Sequence, residues 1–424
     1  MSARRPRARV LLLTENAPVP SDRRVWNESR ALTAAGYEVV IVSAQGDGRC
    51  TKPFEVLEGI EIHRYPLRQA GAGVLGYVRE YAEAMLRTRL LIRRLSRERH
   101  FDVVHASNPP DFLLLAALSL RRRGARLIFD HHDLMPELCL TRFGDRAMLR
   151  RLTRMAEWIG FRLADVVICT NESYRQIALE RGHCRPENVF VVRNGPDVSH
   201  FVPVEPDPSL KQGRAHLISY LGVMAKQDGV DHAVRALAQL RKRRDDWRAI
   251  FMGEGECLEE MRALVRELGL DDIVEFPGWK HDAEVRLVLS TSDVCLVPDP
   301  PNPLNELSTL VKVVEYMAIG RPIVSYNLRE SRYSAGEAAI YAHPGDVASF
   351  AACIDELLSS PARRAHMGEV GRRRVHAELA WEHSARRLRA AYRHALGAHL
   401  ELALDESADG RLGPPVTLAP ERAG

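Results

Sequence analysis

Short apolar runs alternate with helix-period stretches along most of the chain. Runs rich in Val, Ile and Leu predict strands at 9–14, 38–43, 60–65, 102–106, 126–130, 165–170 and 189–192. Between them, apolar positions recurring every three or four residues predict helices at 22–35, 74–99, 109–123 and 145–163. Such alternation argues βαβ units and a parallel, doubly wound sheet. The segment 194–214, NGPDVSHFVPVEPDPSLKQGR, interrupts it with four prolines and no period, as a linker does. The alternation then restarts. Strands are expected at 216–221, 249–252, 273–276, 294–297, 323–326 and 339–341, with helices at 230–243, 258–268, 283–289, 308–319, 347–358 and 362–376. A last helix is expected near 381–400, and 401–424 reads as a disordered tail without apolar period. The predicted fold class is α/β, with two tandem Rossmann-like domains facing a cleft. Their expected bounds are 1–198 and 215–378, with a linker at 199–214 and a helix over 379–400 that returns toward the first domain.

Composition narrows the setting. A chain of 424 residues has room for two cores, and 46% hydrophobic with 27% charged residues is ordinary for a soluble globular protein. No run approaches the ~18–20 apolar residues of a membrane span. The apolar run near the N-terminus covers only Val10 to Leu13, short of the roughly 7 residues of a secretory core. Seven cysteines lie far apart with no C-x-x-C, which argues free thiols in a reducing compartment and a cytoplasmic address. A net charge of +4 is too small to imply a nucleic-acid partner. Its distribution is uneven, however. Arg87, Arg89, Arg93, Arg94, Arg97 and Arg99 share one helical stretch, and Arg142, Arg146, Arg150, Arg151 and Arg154 share another with Leu149, Leu152, Met155, Trp158 and Phe161. These are either solvated helix faces or a basic amphipathic surface for anionic lipid, which makes 77–99 and 145–163 the candidates for peripheral contact with the inner face of the cytoplasmic membrane.

Ligands of open α/β sheets bind beyond the carboxyl ends of the strands, so chemistry is sought in the loops that follow them. In the second half, YLGVMAKQDGVD carries Gly222, Lys226 and Gln227, FMGEGECLEEM carries Gly253, and FPGWKHD carries an exposed-looking Trp279. Glycines in successive βα loops let backbone N–H groups approach a phosphate. The stretch NELSTLVKVVEYMAIGRPIV, 305–324, completes this set. A helix starting at Ser308 would present unpaired N–H groups to a diphosphate beside the Ser308 and Thr309 hydroxyls. Lys312 and Glu315, three apart on one face, could neutralise phosphate and accept the two hydroxyls of a ribose. Otherwise they form a capped helix with a surface ion pair, but the flanking Leu310, Val311, Val313, Val314, Tyr316 and Met317 leave little solvated face. In the first half, HASNPPD and FDHHDLMPEL follow strands. A His-His-Asp run suggests a metal, yet adjacent side chains on an extended segment point to opposite sides. One histidine is therefore expected as a polar contact in the site and the other against the sheet.

Together the tandem domains, the H-D after the fifth strand, the N-G at the linker and K-x-x-E-Y-M-A-x-G-x-P-x-V resemble the GT-B glycosyltransferases of family 4. The resemblance runs from about Val10 to the helix after Trp381 and is closest over Asn302–Tyr341. It implies transfer of a sugar from a nucleoside diphosphate sugar, UDP-linked by expectation, to a glycan or lipid-linked acceptor. It further implies retention at the anomeric carbon, no cofactor and no essential metal. It implies donor binding by the second domain through Glu315 on the ribose, the Ser308–Thr309–Leu310 loop on phosphate and sugar, and Trp279 at the base. The acceptor domain contributes His132 near the transferred sugar, with Arg23, Asn108 and Asp133 on the acceptor side. His132, Lys312 and Glu306 are the expected catalytic residues. No D-x-D metal clamp is present. Two positions depart from the family. Leu307 stands where a second glutamate is usual, with Glu306 one residue early. Val223 and Asp228 stand where a phosphate-binding Arg and Lys are usual, so that Lys226, Lys312, Arg23 or Arg24 would have to replace that charge.

Other readings of the same residues are a sugar-nucleotide epimerase of this fold and a non-catalytic subunit that binds a nucleotide sugar. A nicotinamide-dependent dehydrogenase is disfavoured, because the first strand leads into TENAPVPSDRRVW and not G-x-G-x-x-G.

Overall fold

The computed structural model describes residues 8–46, 50–67 and 73–397. Its strands fall into two sheets. The first holds β1 (Arg9–Leu13), β2 (Glu38–Ala44), β3 (Phe54–Leu57), β4 (Ile60–Tyr65), β5 (Val103–Ser107), β6 (Arg126–His131), β7 (Val166–Cys169) and β8 (Val189–Val191). Their spatial order is β3-β4-β2-β1-β5-β6-β7-β8. The second holds β9 (His216–Leu221), β10 (Trp247–Met252), β11 (Val274–Gly278), β12 (Val294–Val297), β13 (Ile323–Tyr326) and β14 (Ala339–Ala342), ordered β11-β10-β9-β12-β13-β14. Apart from β3 against β4, the pairings are parallel, as fully apolar strands joined through helices require. In each sheet the order reverses at the first strand, β1 or β9, and the crevice at its carboxyl end is where ligands enter such folds.

Local differences from the sequence pattern have identifiable causes. β3 is an edge strand of only four residues, too short for a period; it joins β4 through Glu58 and Gly59, both at positive φ (50° and 80°), the tight hairpin geometry. The helix expected over 109–123 is instead a 3-10 turn, Leu113–Ala117, running into Leu118–Arg121. Asn108 Nδ2 donates to Asp111 Oδ1 at 2.7 Å, which keeps the Pro-Pro-Asp segment in a turn. Helices Met135–Phe143, Glu172–Glu180 and Arg329–Ala335 are too short to complete a convincing apolar period.

The terminal helix Trp381–Leu396 crosses back onto the first sheet. Its Trp381, Ala385, Leu388, Tyr392 and Ala395 recur at helical spacing and join Val10, Leu12, Ile41, Ile128 and Ile168 in one apolar cluster. Residues 398–400 of the expected helix, and the tail expected over 401–424, lie outside the described residues. The seven cysteines are free. Among the described residues no helix is long and apolar enough to cross a membrane.

Candidate functional site

The helix foreseen from Ser308 begins at Val311 and runs to Ile319, because Ser308 and Thr309 are drawn into contacts with the other half of the molecule. Asn171 Nδ2 donates to Leu307 O at 2.8 Å and to Thr309 Oγ1 at 2.9 Å, and Ser308 Oγ lies 3.1 Å from Tyr174 OH. Nearby, Ser173 Oγ donates to Glu330 Oε1 at 2.6 Å. No side chain caps the helix behind Leu310, and its first bonded amide is Val313 N on Leu310 O at 3.1 Å. The N–H groups of Thr309, Leu310, Val311 and Lys312 have no acceptor among the described residues. An uncapped helix start of this kind is suited to receive an anion.

Lys312 and Glu315 are both buried on this helix and go separate ways. Lys312 Nζ sits 2.9 Å and 3.1 Å from the two carboxylate oxygens of Asp299, 3.4 Å from Tyr220 OH, and over the Tyr220 ring. Burial works against its charge, but Asp299 and Asp228 outweigh that and raise its pKa. Its charge is therefore engaged within the protein, against the expectation that it would neutralise phosphate. Glu315, 7% exposed, accepts from Arg23 Nη1 of the first half at 3.2 Å, and the same guanidinium bonds Asp282. Burial raises the pKa of Glu315, and Arg23 pulls against that rise.

The other expected donor residues divide in the same manner. Gly222 N donates to Met252 O at 3.0 Å and Gly253 N to Gly278 O at 2.9 Å, so these amides serve the sheet and not an anion. Glycine is still required there: at Gly253, with φ 137°, a Cβ would lie 1.9 Å from the carbonyl oxygen of Gly222. Lys226 is exposed at the start of a 3-10 turn, Lys226–Asp228. Gln227 O accepts from Asn305 Nδ2 at 2.8 Å. Asp228 caps Ala225 N at 3.1 Å, and burial raises its carboxyl to about 6 against the pull of Lys312. Trp279 is 59% exposed, its ring packed edge-on to His281. Glu306 accepts from Arg329 N at 3.1 Å. Leu307 and Leu304 pack onto the apolar cluster of the first sheet, which explains a leucine where the family pattern led one to look for an acid.

On the opposite wall, His132 follows β6. Its Nδ1 lies 3.2 Å from Asp130 Oδ2. Burial would lower the pKa of this imidazole, but the hydrogen bond and charge of Asp130, with Asp133 adding, raise it to about 9. His131, with no exposed surface, turns the other way, 3.3 Å from Glu157 and against Phe161. Asn108 is fully occupied: its Oδ1 accepts from His132 N at 2.9 Å and Asp133 N at 3.0 Å, and its Nδ2 donates to Asp133 O and Asp111 Oδ1, each at 2.7 Å. It shapes the His132–Asp133 turn and has no valence left for an acceptor.

Behind His132, Glu28, His105 and Asp130 converge closely enough to hold a cation, and Arg24 supplies that charge. Its guanidinium bonds both Asp130 oxygens, at 2.6 and 2.7 Å, lies 3.2 Å from Glu28, and reaches Val192 O and Asn194 Oδ1. Burial disfavours the Asp130 charge, yet Arg24 and the two histidines hold its pKa well below the usual range. His105 Nδ1 continues the network to Tyr392 OH of the terminal helix at 2.8 Å.

Sequence reasoning missed Asp299, Asn171, Tyr174 and Glu330. Asp299 was findable: VPDPP follows β12 directly, and the strand-end rule that selected the other loops applies to it. The rest contact partners more than a hundred positions away.

With this geometry in place, comparison with known proteins decides the family. Residues 21–200 match the model for Glycosyltransferase Family 4, and 215–360 match that for Glycosyl transferases group 1. The chain belongs to the family 4 glycosyltransferases. Among its relatives, the 2-deoxystreptamine glucosyltransferase of Streptomyces kanamyceticus is 28% identical over 261 residues, 60% of this chain and 66% of that protein. The sucrose-phosphate synthase of Thermosynechococcus elongatus superposes with a TM-score of 0.75 at 20% identity, over 91% of this chain and 98% of that one. HepE of Anabaena, in complex with UDP-glucose, superposes with a TM-score of 0.69 at 16% identity, over 91% and 99%. The fold of this glycosyltransferase is GT-B.

Proposed function

We propose that this glycosyltransferase moves a sugar from a nucleoside diphosphate sugar, UDP-linked by preference, to a glycan or lipid-linked acceptor with retention of anomeric configuration, in surface polysaccharide or glycolipid assembly. The observation that carries it is the uncapped start of Val311–Ile319 in the interdomain cleft, with Glu315 buried one turn further along. The free N–H groups of 309–312 fit a diphosphate, and a buried carboxylate fits the two hydroxyls of a ribose. HepE, of the same fold, is a UDP-glucose binder, which favours uridine as the base. Trp279 offers that base an exposed face.

In this reading the bond between the anomeric carbon and the diphosphate oxygen breaks first. The departing charge is met by the amides of 309–312. An acceptor hydroxyl then attacks the same face of the sugar, and its proton passes to the leaving phosphate oxygen. Protonated His132 donates a hydrogen bond to the sugar, oriented by Asp130 and by the Asn108-held turn. The contacts of Asn171 and Tyr174 with 307–309 close the cleft and limit hydrolysis.

The acceptor is best read as lipid-linked. Helix Ala147–Leu163 turns Met148, Leu152, Met155 and Trp158 outward beside Arg151 and Arg154. Helix Val74–Glu98 likewise exposes Leu75, Val78, Leu86 and Leu90 beside Arg89 and Arg93.

The test is a screen of nucleotide sugars by thermal shift, followed by incubation of the stabilising donor with lipid extracts and NMR of the product's anomeric centre. Donor-dependent transfer with retained configuration is expected. Isomerisation of the donor alone would favour an epimerase, and inversion would overturn the proposed stereochemistry. Glu315→Ala should abolish the thermal shift while the protein stays folded.

A further inference from the structure

A diphosphate needs a cation, and in the second half the family's two basic positions, 223 and 228, supply none, which leaves exposed Lys226 and buried Lys312 there. Val223 is exposed and uncharged, Asp228 is acidic, and Lys312 is held by both oxygens of Asp299. Arg24 is buried and committed to Asp130, Val192 O and Asn194. Arg23 is different. It opens the helix Arg23–Ala34, its side chain is 62% exposed, and it spans the cleft to reach Glu315 and Asp282 on the other side. One of its two carboxylate partners is the residue assigned to the ribose.

That overlap sets up an exchange. A ribose diol arriving at Glu315 takes the acceptor positions that Arg23 Nη1 now uses. The released guanidinium remains tethered to exposed Asp282 and carries a long, flexible side chain. A phosphate group beside the 309–312 amides is the strongest partner left to it, since the planar guanidinium matches phosphate oxygens bidentately. Resting on the nucleoside diphosphate reading of the site, we propose that Arg23 is the diphosphate-binding cation of this enzyme, and that it holds Glu315 until the ribose displaces it. Of the two roles the sequence left open for Arg23, on the acceptor side and as the phosphate charge, this proposal takes the second.

The exchange makes a prediction of opposite signs. In Arg23→Ala, Glu315 is left free for the ribose, while the diphosphate loses its cation. Affinities for uridine and UDP, and for guanosine and GDP, are measured by NMR competition on the wild type, Arg23→Ala and Arg23→Lys. For the pair the wild type binds, Arg23→Ala is expected to weaken diphosphate binding by about tenfold or more while nucleoside binding stays equal or tightens a few-fold. Arg23→Lys should recover part of the diphosphate affinity. Parallel losses for nucleoside and diphosphate, or no change in either, would overturn the exchange while leaving the nucleotide site intact. A wild type that binds none of these ligands, nor any nucleotide sugar, would remove the site reading and the inference together. Arg23 is largely exposed, so folding of the variants is not at risk.

Discussion

Lys312 Nζ and the Asp299 carboxylate face each other at 2.9 and 3.1 Å with 9% and 1% of their side chains exposed, a desolvated ion pair directly behind the uncapped helix start. Breaking such a pair strands a buried charge, which typically costs about 3–5 kcal/mol, whereas replacing both partners with apolar groups of similar volume is close to neutral. Asp299→Leu alone should therefore lower the urea midpoint sharply, and Lys312→Met with Asp299→Leu should recover most of the loss. If Lys312 also lends its field to the diphosphate, the double variant folds but transfers sugar slowly. Equal stability of single and double variants would show that the pair is not coupled.

The neighbouring acid behaves otherwise. Glu306 accepts from Arg329 N and Leu307 packs across the cleft onto the first sheet's core. Glu306→Ala should keep kcat/KM within about threefold of wild type, and Leu307→Glu should lower it at least about tenfold because a carboxylate there loses apolar contact and gains no partner. A large loss in Glu306→Ala would restore Glu306 as a catalytic residue.

His132 predicts a pH dependence. Its folded pKa is raised to about 9, mainly against the cost of burial by Asp130, from ~6.5 in an unfolded chain. A raised histidine contributes stability that is fully present below about pH 6.5 and is lost as pH rises through about 9. Thermal unfolding of wild type and His132→Gln should differ most near pH 6 and converge toward pH 10. A gap that widens with pH would mean that the imidazole is neutral in the fold.

These cases show where the chain's own order was informative. Glu315 and His132 could be singled out because each sits just past a recognisable element, a helix start or a strand end, and the structure places Glu315 beside Arg23 and His132 beside Asp130. Lys312 was misread because Asp299 lies 13 positions upstream, beyond any helical or strand period. Ser308 looked like a helix start because hydroxyls favour caps, yet Tyr174, 134 positions away, competes for its side chain. Asn108 looked like an acceptor contact because nothing local reveals that His132 and Asp133 consume its amide. The alternation of strands and helices, by contrast, is set by local apolar periodicity, so both sheets were predictable even where the partners of their loops were not.

The lipid surface gives the last prediction. Along Ala147–Leu163, Met148, Leu152 and Met155 are three or four apart and stand 73%, 49% and 55% exposed, with Trp158 one step beyond at 48%. The buried Glu157, Gly160 and Phe161 occupy the other side, and among the described residues the stripe stands exposed. Arg151 and Arg154 flank it in solvent, while Arg150 is paired with Asp145 and contributes less. On the proposed lipid-linked acceptor, a helix with this division would rest in a membrane interface, with about 1 kcal/mol of attraction per basic residue near an anionic surface. Arg151→Glu with Arg154→Glu should weaken sedimentation with vesicles containing phosphatidylglycerol by at least about tenfold, with little change on phosphatidylcholine alone. Leu152→Asp with Trp158→Asp should reduce binding to both, because it removes the apolar half of the contact. Neither double variant should change nucleotide affinity, since the stripe shares no residue with the cleft. Wild-type protein that fails to sediment with anionic vesicles, or charge-reversed protein that sediments as well as wild type, would assign the stripe to another role and leave the lipid-linked acceptor without support.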